Sequence, residues 1–145
     1  MKTFSLDEAQ SLLPLLESLL TRAMEAKETA EQLQMEMQQL KQRIFLAGGM
    51  TVDLHAVALN REGTETNLKK ANEALTEIDS IGVQVKDLET GLLDFPCRVE
   101  DEVVLLCWKR GEERIDYWHT TDAGFRGRRP LDDRFRGRGG PARPN

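Results

Sequence analysis

The chain has 145 residues, 39% of them hydrophobic and 31% charged, with a formal net charge of −5. That is one ordinary domain's length rather than two. The charge is split: residues 1–125 carry 13 Lys and Arg against 23 Asp and Glu (net −10), and residues 126–145 carry seven Arg against Asp132 and Asp133 (net +5). An acidic body argues against a nucleic-acid-binding domain. No membrane-spanning helix is expected either, since the richest apolar stretch, Leu12 to Leu20, already contains Pro14 and Glu17. The first residues, with Lys2, Asp7 and Glu8, lack an apolar leader core, so no signal peptide is expected. The two cysteines are then expected to be free thiols in the cytoplasm.

The first half predicts a helical hairpin over about 5–82. Ser5 and Glu8 have the spacing of a reciprocal N-terminal cap, and Asp7 and Glu8 suit the positive end of a helix. Pro14 lacks an N–H and crowds the preceding turn. It therefore predicts a break: a short helix 6–12, then a longer one capped by Ser11. From Leu16 the apolar residues Leu19, Ala23, Ala26, Ala30, Leu33, Met37, Leu40 and Ile44 alternate in steps of 3 and 4, a coiled-coil seam. Gly48 and Gly49 end that helix. Thr51 or Asp53 caps a second helix, 52–80, along Leu54, Val57, Arg61, Thr64, Leu68, Ala71, Leu75 and Ile78. Gly63 predicts fraying or a kink at 61–64, and Gly82 a C-terminal cap. Leu12, Leu15, Leu20 and Met24 flank the seam and predict a homodimer through the helices.

Residues 83–119 predict a three- to four-stranded antiparallel sheet. Its strands are 83–86, 92–99 (placed at an edge or bulge by Pro96), 103–109 and 114–119. A two-residue turn at Gly111-Glu112 would pair Val104 with His119, Leu106 with Tyr117 and Trp108 with Ile115 on the helix side. Leu105 would pair with Trp118, and Cys107 with Asp116, on the other. A three-residue turn at 100–102 would set Phe95 opposite Cys107 and Cys97 opposite Leu105, too oblique for a disulfide. Residues 120–131 follow as a loop that completes a single α+β domain, 1–131. The Arg/Gly-rich segment 132–145 is expected to be disordered, with at most weak RNA contact.

Several motifs resemble a bacterial family, domain of unknown function 2203. They are Phe4-Ser5-Leu6-Asp7-Glu8-Ala9, Leu12-Leu13-Pro14, Val85-Lys86-Asp87-Leu88 and Gly91-Leu92-Leu93-Asp94-Phe95-Pro96. Leu106-Cys107-Trp108, Tyr117-Trp118-His119, Asp122-Ala123-Gly124-Phe125 and Gly127-Arg128 complete the set. The resemblance covers roughly 4–131. It implies a shared fold unit and a cytoplasmic bacterial setting, and carries no activity.

The densest chemistry lies around His119. The chain's only Trp and Tyr residues, Trp108, Tyr117 and Trp118, fall within eleven positions. With His119, Asp122, Phe125, Asp87, Asp94 and Cys107 they form a candidate pocket. Arg126, Arg128 and Arg129 are candidate anion contacts. No CxxC, HxxxH or HExxH spacing is present, and the register above separates His119 from Cys107, so no metal or other cofactor is expected. His119 is expected to close a strand with one ring nitrogen on a carboxylate, and His55 to face solvent. Two functional readings follow. One is a non-enzymatic interaction protein that self-associates through its hairpin. The other is a small ligand- or metal-binding protein, or an enzyme, with its site at His119 and the aromatic cluster.

Overall fold

The computed structural model describes residues 2–135. Residues 136–145 of the predicted disordered tail lie outside them. Among the described residues two helices, α1 (Leu6–Leu46) and α2 (Leu54–Ile81), precede a sheet of β1 (Gln84–Asp87), β2 (Leu92–Val99), β3 (Glu102–Lys109), β4 (Tyr117–His119) and β5 (Arg129–Pro130). The fold class is α+β, with one strand more than expected. The chain divides into two compact units: Thr21–Ala74, and the segments that end at Leu20 and resume at Leu75. No described helix is long and apolar enough to cross a membrane.

The helix ends follow the local sequence. The Ser5 N–H donates to Glu8 Oε1 at 2.8 Å and the Glu8 N–H to Ser5 Oγ at 3.1 Å, the reciprocal cap that the spacing predicts. Asp53 Oδ1 accepts from the N–H groups of His55 and Ala56 and so caps α2. Gly82 (φ 106°) ends α2: its N–H donates to the Asp79 carbonyl, and the Val83 N–H to that of Ile78.

Two predicted interruptions are absent. α1 runs unbroken through Pro14, and Ser11 Oγ donates inside the helix to the Glu8 carbonyl rather than capping a new one. The proline's local cost is offset because Leu13, Leu16 and Leu20, which flank it, are all buried. α2 is continuous across 61–64. A Cβ at Gly63 would lie 2.9 Å from Leu33 Cδ1, so this glycine permits close helix approach. Beside it, Asn60 Nδ2 donates to the Leu33 carbonyl at 2.9 Å. Within Thr21–Ala74 the seam is buried at Ala23, Ala26, Ala30, Ala71 and Ala74, while Leu68 is 40% exposed.

The sheet is an antiparallel meander in the order β1-β2-β3-β4-β5. Both expected registers are wrong by one residue, which moves every affected side chain to the other face. Glu100 and Asp101 form a two-residue turn with φ of 51° and 66°, so Phe95 pairs with Leu106, Asp94 with Cys107 and Cys97 with Val104. The loop after β3 runs through 110–116 instead of turning at Gly111-Glu112. Its Ile115 N–H leaves the ladder for Gln10 Oε1 on α1, at 3.0 Å. His119 therefore pairs with Leu105, Trp118 with Leu106 and Tyr117 with Cys107.

One face of the sheet now holds Leu93, Phe95, Cys97, Val104, Leu106, Trp108 and Trp118, all buried, with Phe95 edge-on to Phe4 at 5.9 Å. Asp94, Leu105, Cys107, Tyr117 and His119 share the other. Pro96 does not weaken β2: β1 pairs only as far as Asp94, and beyond it the Pro96 carbonyl accepts the Phe4 N–H at 2.7 Å. The outer side of β2 needs no donor there. The fifth strand comes from the expected loop: Arg129 and Pro130 pair with Trp118 and Tyr117. Nor is the segment after Leu131 unanchored, because Phe135 is 3% exposed and packs on Trp118 at 5.7 Å.

Candidate functional site

β2, β3 and β4 each place one polar side chain on the same face. Asp94 lies directly across from Cys107, and His119 stands on the next strand. All three are buried, at 2%, 1% and 3% exposure. His119 Nε2 is 3.1 Å from both Asp94 oxygens, and its Nδ1–H donates to the Thr120 carbonyl at 2.8 Å. The expected strand-end histidine on a carboxylate is thus found. One nitrogen, one sulfur and one carboxylate oxygen from the three residues lie within 4.8 Å of one another.

Burial holds the Asp94 carboxyl above its usual range, although contact with the His119 ring and the nearby Lys86 ammonium pull it down. Burial, then the Asp94 charge, pushes the Cys107 thiol up to about 11. These groups form the floor of a cavity of about 160 Å³. Leu92, Leu105, Ala123, Thr121 and Phe125 wall it, and Lys86 reaches its rim. Lys86 arrives through a bulge: β1 pairs Val85 with Leu93 and Asp87 with Leu92, leaving it as the extra residue. Bulges commonly re-aim a side chain in this way.

The family model described as "Uncharacterized conserved protein (DUF2203)" matches residues 2–131. The chain belongs to that family. No curated protein and no solved structure shows significant similarity to it. In this DUF2203 chain, only part of the predicted pocket converges. Asp94, Cys107, His119 and Phe125 line the cavity. Trp108 and Trp118 lie on the opposite face, where Trp108 Nε1 donates to the Glu112 carbonyl at 3.0 Å. Tyr117 is covered by Arg128, whose guanidinium sits 4.0 Å from the ring centroid. Asp122 is exposed, and accepts from Thr120 Oγ1 at 2.8 Å; that bond holds its carboxyl below the usual range. Asp87 caps its turn, accepting from the Glu89 N–H and Thr90 Oγ1 at 3.0 Å each. His55 is exposed, as expected.

The three arginines do not converge on one anion. Arg128 Nη2 is 3.0 Å from both Glu112 oxygens, Arg129 lies 5.1 Å from the Trp118 ring, and Arg126 lines a separate cleft with Asp87 and Lys109. The sequence reading missed Lys86, Leu92, Leu105, Thr121 and Ala123. No local signal marked them: Lys86 depends on a bulge and Leu105 on the corrected register.

Proposed function

We propose that the chain is a binding protein for a small polar ligand, held in the cavity above Asp94 and His119. The observation that carries this reading is a buried acid–imidazole pair flooring a cavity instead of closing into the core. Polar groups converging in an otherwise apolar concavity are the usual mark of a ligand site. The 160 Å³ volume is below the roughly 300–1,000 Å³ of drug-sized pockets, which favours a ligand of a few heavy atoms. Lys86 at the rim favours an anion. Two buried free cysteines support a reducing, cytoplasmic setting, and the family resemblance a bacterial one.

Amide NMR spectra during titration with acetate, malonate and inorganic phosphate test the reading. At least one anion is expected to shift Leu92, Leu105, Thr121 and Phe125 saturably, with weaker binding in Lys86→Ala. No saturable shift, or shifts confined to Arg126, Arg128 and Arg129, would refute it.

A second reading, self-association through the hairpin, is favoured by the apolar residues at its loop end. Phe45, Leu46 and Leu54 are 83%, 82% and 78% exposed. Exposed large apolar clusters commonly mark contact surfaces. Leu20, one of the residues expected to drive dimerisation, is already fully buried within the protomer. Light scattering at high micromolar concentration is expected to give a dimer for the native chain and a monomer for Phe45→Ser/Leu54→Ser. A native monomer would refute the reading.

A further inference from the structure

His119 and Asp94 face each other so that a positive centre is needed between them. The His119 Nδ1 faces the Thr120 carbonyl at 2.8 Å. A carbonyl oxygen only accepts, so the ring proton sits on Nδ1. In the neutral ring Nε2 is then a lone pair. That lone pair points at two carboxylate oxygens, each 3.1 Å away, in a buried setting. Acceptor against acceptor is unfavourable there, and only a positive centre relieves it: a proton or a cation.

We propose that the centre is a divalent transition-metal cation of the zinc type, held by Asp94, Cys107 and His119. The inference rests on the cavity being the binding site, and names what binds at its floor. Three donors from three adjacent strands lie within 4.8 Å of one another, so closing by about an ångström brings all of them to bonding distance of about 2.0–2.3 Å from one ion. The donor set is one imidazole nitrogen, one sulfur and one carboxylate. It suits zinc or cobalt and disfavours calcium and magnesium, which take mostly oxygen. The Thr120 carbonyl behind Nδ1 is the outer-shell arrangement that orients metal-bound histidines. Binding releases to solvent the Cys107 thiol proton and any proton shared by Asp94 and His119. Three protein ligands leave a fourth position, and the cavity lies over it. With Lys86 at the rim, that position suits water or an anionic oxygen donor.

The expected register argued against this site by separating His119 from Cys107. The corrected register removes that objection.

The test uses the full chain, stripped with chelator and titrated with Co²⁺ in a reducing, chelator-free buffer. The expected result is one equivalent per chain, intense visible bands of tetrahedral cobalt, and thiolate-to-cobalt charge transfer in the near ultraviolet. Zn²⁺ should bleach both by competition. Cys107→Ser should abolish the charge transfer, and His119→Asn should weaken binding by more than the roughly 10–100-fold that losing an outer-shell partner costs. His55→Asn should change nothing. Circular dichroism checks each variant's fold, and the wild-type titration decides alone if a variant is unfolded. Absence of cobalt binding by the wild type, an octahedral spectrum without charge transfer, or loss of binding in His55→Asn would each overturn the metal site. Malonate shifts around Leu92 and Phe125 in protein that takes no cobalt would leave the cavity reading standing and refute only the metal. Neither cobalt nor anion binding would refute both.

Discussion

Cys97 and Cys107 are buried on opposite faces of the sheet, and burial is the first cause of their resistance to ionisation. Each thiol is pushed up to about 11, with the charges of Glu8 and Asp94 respectively adding to the effect. Since the thiolate is the nucleophile, both should be inert in the native, metal-free protein. Mass spectrometry after iodoacetamide at pH 8 is expected to find neither alkylated, with the rate rising about tenfold per pH unit toward 11. In guanidinium both should react at once; rapid native labelling would contradict this. Asp94 has a linkage of definite sign. Its folded pKa lies above the ordinary carboxylate value of 3.8, so its contribution is fully present below 3.8 and is lost as pH rises through the folded pKa. The amide introduced by Asp94→Asn imitates the protonated acid and supplies an N–H for the Nε2 lone pair. In metal-free protein the variant should therefore gain stability relative to wild type as pH rises from 3 to 7. Urea unfolding at several pH values checks the trend, and a falling difference would show that the ionised pair is favourable.

At the scale of elements, legibility followed locality. The Ser5–Glu8 cap, the Asp53 cap and the Gly82 terminus were readable because every partner lies within five residues. Register was not. The Glu100-Asp101 turn holds two non-glycine residues at positive φ without the Asn-Gly signal that marks such turns, so the hairpin read one residue too long. The β3–β4 connection is set by Gln10, 105 positions from Ile115. No window around the loop contains that partner. Those two single-residue errors hid the Asp94–Cys107–His119 floor, although all three residues were singled out. Pro14 shows the converse, a strong local signal overridden by packing. Because Pro14 is exposed within a continuous helix, Pro14→Ala restores a donor for the Gln10 carbonyl and removes a ring clash. It should stabilise the protein by about 2 kcal/mol, less than the ~3 kcal/mol helix-interior penalty because proline also stiffens the unfolded chain. Guanidinium unfolding measures it. A destabilised variant would mean that the fold needs the proline at this position.

At the scale of the whole molecule, the family match stops at 131 while the folded structure continues. Arg/Gly composition predicted an unstructured segment from 132, because composition averages over the one residue that decides the matter. Phe135 is 3% exposed against Trp118, itself 5% exposed, with the rings 5.7 Å apart. Arg134 fastens the same segment: its guanidinium is 5.0 Å from the Trp118 ring, and it reaches Asp132 at 3.0 Å and Glu100 at 3.5 Å. The exposed ion pairs are worth little. The aromatic contact dominates, since truncating a buried phenylalanine costs about 3–5 kcal/mol. Phe135→Ala should therefore lower the unfolding free energy by about 3 kcal/mol. Ending the chain after Leu131 should cost at least as much. Both changes should red-shift the fluorescence of Trp118 as water reaches its ring, and Trp108→Phe removes the other tryptophan's signal from that reading. An unchanged unfolding midpoint in both variants would mean that the segment only rests on the sheet. Because Trp118 sits between Tyr117 and His119 on β4, the same loss should reach the Asp94–His119 floor. The variant's amide spectrum is accordingly expected to shift at His119 and Thr120 as well as at Trp118.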